Sequence, residues 1–473
     1  MGAARAPWID EGYYADAAYN LAFQGKFLCT TWHPLFTGLP DFPHIDRYTY
    51  YMMPLFSVAL AGWFRLAGFS LAAAHWHSLV WGIALILAIY AFTRKLVGND
   101  WVALAAATLT AVDSIFIFGA SQGRPDVMTA ALGLWGLTTY VILREKHFER
   151  SLLVSWSFVT LAVLTHPIGA VHVFILGSAI LFLDWRRLRP IHLGVVAVPP
   201  LVGALGWGVY IAQAPDVFLQ QFSTHIGART TGRLSLLAAF QQEIGQRYLP
   251  FFLAGPSPWV RIRLLGPLTI LGTWLLLLIT GEFRRQQAVR LLMTVTVVGF
   301  LALLFADKAR FSFYLVHLFP LYWTLCAVAA YYLYSSRRRV GLAIIAALCL
   351  VVPMEAGIIV YKSGDYEHKL QYEEMVDAVR SYPAARQALI MGPTQFIFDL
   401  RPGYEINDDG RFGFYTGKRP DLIIRTVDSP VASTYAEQEP KFMNYLNDLL
   451  QNRVELIFRN REYFFYRVKP AGK

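Results

Sequence analysis

The chain has 473 residues, 56% of them hydrophobic and only 16% charged, with a mean hydropathy of +0.41. Soluble domains carry about 25% charged residues, so a soluble globular enzyme is excluded and an integral membrane protein is expected. The formal charge of +10 does not point to nucleic acid, because much of the basic excess sits in short connections between apolar spans, where it sets topology.

Aromatic residues make up 15% of the chain, including 13 Trp and 25 Tyr, which suits interfacial belts in contact with membrane lipids. The three cysteines, Cys29, Cys326 and Cys349, have no spacing that suggests zinc or a disulfide framework. They read as packing residues. No cleavable signal peptide is visible, since residues 1–9 contain no apolar core of the needed length.

Near the start of the chain stand two adjacent carboxylates, Asp10 and Glu11. Two readings stand open for them: acids that start an interfacial helix, or functional acids at a membrane face. The segment 51–68 is apolar, with Arg65 among aromatic neighbours, and reads as an interfacial or re-entrant helix rather than a span.

Apolar spans follow at 75–93, 103–121, 126–143, 151–165, 168–183, 191–212, 264–280, 288–306, 312–333 and 340–361. Every second connection is basic: Arg94 and Lys95, then the groups near 144–150, 186–189, 284–290 and 337–339, together fourteen Lys and Arg. The short alternate connections around 122–125, 166–167 and 307–310 hold three, Arg124, Lys308 and Arg310. The asymmetry puts the first set in the cytoplasm. On that map Asp10, Glu11, Arg124, Asp126, Lys308 and Arg310 all face one outer compartment.

Residues 213–260 form a long outer connection with an amphipathic helix over 234–249 and a breaker run at 254–258. After 361 the composition becomes that of a soluble domain. A helix is expected at 372–382, strands at 388–392 and 421–427, a helix at roughly 437–451, and a closing hairpin from 454–459 and 462–468. The expected organisation is a first outer loop with interfacial helices (1–74), a membrane domain (75–361) and a soluble outer α/β domain (362–473).

The second acidic site is the turn Ser121-Gln122-Gly123-Arg124-Pro125-Asp126. Pro125 fits the first position of the next helix, so Asp126 reads either as a helix start or as an acid facing the same compartment as Asp10. Asp113 lies inside an apolar span, where an ionisable residue is a functional hypothesis and a helix break the alternative. His166-Pro167 sits in a tight outer turn, and His166 is a candidate for lining a cavity. The acidic pair Asp408-Asp409 belongs to a Gly-containing turn and is expected to be solvated. His33, His44, His75 and His77 show no metal spacing.

Three motifs in order resemble one family. The first is Asp10-Glu11-Gly12-Tyr13-Tyr14-Ala15, followed by a Gly25-Lys26-Phe27 turn and an aromatic stretch at Pro54-Leu55 that opens an apolar helix. The second is Arg124-Pro125-Asp126. The third runs from Lys308-Ala309-Arg310 through Tyr314 to Pro320. Together they resemble GT-C glycosyltransferases of the protein O-mannosyltransferase and lipid A aminoarabinose transferase superfamily, over roughly residues 8–361.

The resemblance implies a polytopic α-helical membrane protein of GT-C fold, with about ten transmembrane helices and a small C-terminal extracytoplasmic α/β domain. It implies an enzyme of the plasma membrane that moves a sugar from a polyprenyl-phosphate carrier to an acceptor (protein, lipid or glycan) on the outer face. Carried over, Asp10 is the expected catalytic base, Glu11 its supporting neighbour and Asp126 the acid that orients or deprotonates the acceptor. No cofactor beyond the lipid-linked sugar donor and no divalent metal is implied.

A phosphate leaving group needs cations rather than a general acid. Lys308, Arg310 and Tyr314 are the candidates for it, with Arg124, Arg261 and Arg263 as further outer cations. Two departures stand out. Family members carry a membrane helix before the first acidic loop, which either a late-starting reading frame, the favoured reading, or a truncated chain would explain here, and Met53 replaces the Lys that precedes the proline in the aminoarabinose transferases. Lipid A modification is therefore the less expected activity. A transporter or flippase of a lipid-linked glycan is the rival reading, for which internal repeats would be the signature, and none is seen.

Overall fold

The computed structural model describes residues 5–31, 43–230, 235–253, 262–363, 367–401, 403–414, 416–427 and 440–469. The breaker run 254–258, His33 and Arg261 lie outside the described residues. In chain order the first helices are α1 (Ile9–Gln24), α2 (Pro54–Ala67), α3 (Leu71–Val97), α4 (Asp100–Val112), α5 (Ser114–Ala120), α6 (Asp126–Leu143), α7 (Phe148–Thr165), α8 (Ala170–Asp184), α9 (Pro190–Ile211) and α10 (Pro215–Thr230). There follow α11 (Leu236–Gln242), a π-helical turn (Glu243–Tyr248), α12 (Leu249–Leu253), α13 (Leu265–Thr280), α14 (Glu282–Arg285), α15 (Gln287–Ala306), α16 (Phe319–Ser336) and α17 (Arg338–Ser363).

Among the described residues, eight helices are long and apolar enough to cross a membrane, or nine if the bent pair α4–α5 is one span. The chain is a multi-pass membrane protein. α3 shows how local sequence sets a span: Ser70 Oγ accepts from the Ala73 amide at 3.1 Å, and Gly98 ends the helix at φ 70°. Arg94 and Lys95 in its last turn complement the helix dipole. α2 has 14 residues, or about 21 Å of helix against a hydrocarbon core of about 30 Å, so it cannot cross.

Two expected spans take a different form. The run 103–121 is broken, with α4 and α5 bent by 66°. Asp113 between them has an extended backbone, and its Oδ1 caps α5 by accepting from the Ile115 and Phe116 amides at 2.9 and 3.0 Å. An aspartate that caps from inside an apolar run ends one helix and starts another. In the run 312–333, residues Ser312–His317 form a 3₁₀ turn and the helix proper is α16. Tyr331, Tyr332, Tyr334, Ser335 and Ser336 lower its hydropathy, and it is buried against α4, α13, α15 and α17 as a central helix of the bundle. α6 is likewise central; at Gly133 an added Cβ would stand 2.1 Å from His172 on α8, so only glycine admits that ring.

The chain ends in a five-stranded sheet of order β2-β1-β3-β5-β4, with β1 (Leu389–Met391), β2 (Glu405–Asn407), β3 (Leu422–Thr426), β4 (Val454–Arg459) and β5 (Tyr463–Val468). The β2, β1 and β3 strands are parallel, and β3, β5 and β4 antiparallel. The alternation of the strands divides two cores. Ile390, Leu422 and Phe465 pack with Tyr372, Met375 and Val379 of α18 (Glu367–Ser381). Met391 and Ile423 pack with Phe442 and Leu446 of α20 (Pro440–Asp448), which follows the short α19 (Ile397–Leu400). β2 has three residues, too few for periodicity to reveal.

The carboxylates Asp408 and Asp409 are buried, not solvated. Asp408 Oδ2 accepts from the Tyr13 hydroxyl at 3.0 Å and from the Thr394 amide and hydroxyl at 2.9 and 2.6 Å. Burial pushes its pKa up from 3.8 to about 6, and these hydrogen bonds offset only part of the shift. With the folded value raised, its stabilising share is complete below the ordinary value and is lost as pH rises through about 6. Asparagine keeps an acceptor oxygen without the charge. Thermal unfolding should therefore show Asp408→Asn gaining roughly 2–3 kcal/mol on the wild type between about pH 4 and about pH 7, at about 1.4 kcal/mol per pKa unit. A difference that does not change with pH would refute this.

Candidate active site

The acidic pair divides at the first turn of α1. Glu11 is 1% exposed and faces inward, whereas the Asp10 side chain is 37% exposed. Glu11 Oε2 accepts from the Trp8 amide at 2.7 Å, reaching back to the N-cap residue of α1. Its Oε1 accepts from the Gly123 amide at 2.7 Å and meets His75 Nε2 of α3, also at 2.7 Å. One carboxylate thus ties together α1, α3 and the 121–125 turn. Burial pushes Glu11 up, but the His75 contact and the two amides outweigh it and hold its pKa below the ordinary value.

The turn delivers Arg124 between the two remaining acids. Its Nε donates to Asp126 Oδ2 at 2.8 Å and its Nη1 pairs with Asp10 Oδ2. The guanidinium lies 4.1 Å from the Phe313 ring centre and 4.9 Å from that of Trp8, both cation–π contacts. Burial would depress Arg124, but Asp126 and Asp10 outweigh it, so its pKa is raised and the cation persists. Asp126 is 1% exposed, and its Oδ1 has no hydrogen-bond partner among the described residues. A buried orphan acceptor calls for an explanation, and a substrate donor is one.

Tyr14 stands by the same cluster, its hydroxyl raised by burial and tuned by the charges of Arg124, Asp126 and Asp10. Tyr314 is buried, its ring 5.5 Å from that of His166 and 4.7 Å from that of Phe313, so the third motif reaches the Arg124 wall through its aromatics. His166 also caps the 3₁₀ turn Pro167–Gly169, Nδ1 accepting from the Ile168 amide at 3.2 Å. Trp8, Tyr14, His75 and Phe313 have no role assigned from sequence: Tyr14 and Phe313 lie within the first and third motifs, His75 is weighed only for metal spacing, and Trp8 carries no signal.

Two expected phosphate cations are engaged elsewhere. Arg310 is buried in a left-handed backbone conformation, φ 56°. Its Nη1 donates to Glu243 Oε2 at 2.8 Å and to the Leu304 and Asp307 carbonyls at 2.6 and 3.0 Å. Arg247 joins them, 2.7 Å from Glu243 Oε1 and 3.1 Å from the Asp307 carbonyl. The result is a buried network that ties the π-helical turn to the 307–311 turn. Burial pushes Glu243 up, with Arg247 and Arg310 offsetting only part of it. Lys308 is half-buried in the same turn.

Arg263 is buried too, donating to the Phe251 carbonyl at 2.7 Å and to Ser114 Oγ at 3.2 Å. The Ser114 amide in turn donates to Glu355 Oε2 at 3.2 Å, and Asp113 Oδ2 accepts from Trp323 Nε1 at 3.0 Å. Asp113 and Arg263, which the sequence presented as unrelated candidates, thus belong to one polar cluster at the α4–α5 break. Its other acid, Glu355, had no motif around it. Among the described residues no three His, Cys, Asp or Glu side chains are grouped so as to hold a metal ion.

Residues 52–207 match the protein family described as dolichyl-phosphate-mannose-protein mannosyltransferase, a stretch that includes the Arg124–Asp126 turn and excludes α1. No curated protein matches the chain. Among solved structures, ArnT from Cupriavidus metallidurans bound to undecaprenyl phosphate is similar at 15% identity and TM-score 0.64, over 97% of this chain and 93% of that one. The oligosaccharyltransferase of Archaeoglobus fulgidus in complex with Zn and sulfate is similar at 15% identity and TM-score 0.56, over 98% and 70%. AglB from Archaeoglobus fulgidus, with an inhibitory peptide and a dolichol-phosphate, follows at 12% identity and TM-score 0.51, over 95% and 65%. At such identities the likeness is one of fold. The chain has the GT-C fold, shared over nearly its whole length with these structures, and its residues 52–207 resemble in sequence the dolichyl-phosphate-mannose-protein mannosyltransferase family.

Proposed function

We propose that the chain is an inverting glycosyltransferase that moves a sugar from a polyprenyl-phosphate-linked donor to an acceptor at the outer face of the plasma membrane, with Asp10 as general base. The observation that carries this reading is Arg124, a single buried cation that pairs with an open aspartate, Asp10, and a closed one, Asp126. Lipid phosphates bound by two structural neighbours, undecaprenyl phosphate and dolichol-phosphate, support the donor class.

Asp10 takes the proton of the acceptor hydroxyl as its oxygen bonds to the anomeric carbon. The bond from that carbon to the phosphate oxygen breaks, its electron pair leaves with polyprenyl phosphate, and a single displacement inverts the carbon. The orphan oxygen of Asp126 accepts a hydrogen bond from the acceptor and orients it. Lys308, Tyr314 and Arg124 face the leaving phosphate, whose charge competes with Asp10 for Arg124 and so frees the base. Glu11 positions the turn, while Arg310 and Arg263 serve through the networks that hold them.

Among the described residues, the broken pair α4–α5 favours a carrier, because discontinuous helices with buried charges mark transport sites. The two readings part on covalent chemistry. Purified protein given a radiolabelled polyprenyl-phosphate sugar and a membrane extract as acceptor source should release polyprenyl phosphate. If the donor is carried across vesicles with its phosphodiester intact, the chain is a carrier.

A further inference from the structure

Along one face of α1, residues spaced by four meet the C-terminal domain. At Gly12 an added Cβ would stand 2.7 Å from the backbone carbon and oxygen of Thr394. At Asp16 a fully buried carboxylate pairs with Arg401, which also donates to Asn20 Oδ1 at 2.7 Å and lies 4.4 Å from the Tyr19 ring centre. Tyr13 beside them donates to Asp408. Asp16 further accepts from the Thr30 and Thr31 amides at 2.8 and 2.9 Å, and the Asp408 amide donates to the Thr31 carbonyl at 2.6 Å.

Other faces of α1 pack differently. Ala15, Ala18 and Ala22 join Phe56, Leu60 and Phe64 of α2, with Ile397 and Phe398 of the C-terminal domain in the same cluster. An apolar seam of small residues holds a helix without fixing its position along its axis. A buried ion pair contributes little net stability but can set register, and a backbone approach at glycine fixes depth. These register-setting contacts begin two residues after Asp10, whose own hold is the ion pair to Arg124.

We propose that the C-terminal domain is the positioning device for the base: the contacts Gly12–Thr394, Tyr13–Asp408 and Asp16–Arg401 lock α1 lengthwise and set where Asp10 stands against Arg124. The proposal rests on the reading of Asp10 as the base. Arg401 is a positioning residue, acting through α1.

Arg401→Gln, Arg401→Lys and Gly12→Ala in the full chain test it through two readouts, donor turnover and amide hydrogen exchange along α1. Arg401→Gln and Gly12→Ala should lower kcat by about 10- to 100-fold, the cost of an ångström-scale misplacement, with the KM for donor unchanged. Exchange in residues 9–14 should quicken by about tenfold while α6 stays protected, and Arg401→Lys should recover part of both. Unchanged kcat and unchanged exchange would overturn the lock. A raised KM for acceptor alone would also overturn it, assigning the domain to acceptor binding. Quickened exchange together with full turnover in Asp10→Asn would leave the lock standing and remove Asp10 as the base.

Discussion

Asp10→Asn should abolish release of polyprenyl phosphate from a labelled donor while leaving the protein folded. The two effects separate because of where Asp10 stands. Its side chain is 37% exposed and pairs with a guanidinium that keeps Asp126 as a second partner. Half-open ion pairs of this kind contribute about 0–1 kcal/mol, so the thermal midpoint should shift little. Asparagine fits the same space but cannot take a proton from a hydroxyl. A positioned general base contributes about 10²–10⁴-fold, and a loss of that size in kcat, with the donor still bound, is the expected result. Turnover within about threefold of wild type, against that range, would show that the proton leaves by another route.

Arg124→Gln should be the most destabilising single change in the site. Arg124 and Asp126 have side chains 4% and 2% exposed, so removing the cation strands a buried carboxylate that already has one orphan oxygen. Breaking a buried pair costs about 3–5 kcal/mol. Glutamine also loses the cation–π contacts to Phe313 and Trp8. Pairing the change with Asp126→Asn removes the stranded charge, so the double variant should regain about half or more of that loss in denaturant unfolding, since much of such a cost belongs to the unpaired partner. Activity should stay absent in both. A double variant no more stable than the single one would mean that Asp126 is not the group Arg124 neutralises.

Residue patterns alone fixed the class of molecule. Low charge and long apolar runs set the chain apart from a soluble domain, and alternate basic connections give an expectation for the two sides, because bilayer thickness and insertion charge act on local stretches of chain. The C-terminal helices and the longer strands were legible for the same reason, since periodicity is a property of consecutive residues. Asp10, Glu11, Arg124 and Asp126 stood out as candidates through their motifs, whereas Arg310 and Arg263, expected at the phosphate, are held in networks elsewhere.

Tertiary structure decided which charge meets which. Arg124 takes Asp10 across 114 positions of sequence, Arg310 takes Glu243 across 67, and Arg401 takes Asp16 across 385. No local pattern carries such partners. Burial decided the rest: it closed Glu11 into a structural staple beside the open Asp10, drew Asp113, Arg263 and Glu355 into one cluster, and took Asp408 out of water. A charge leaves solvent only where folding supplies its counter-charge or hydrogen bonds, and those come from segments far away in the chain.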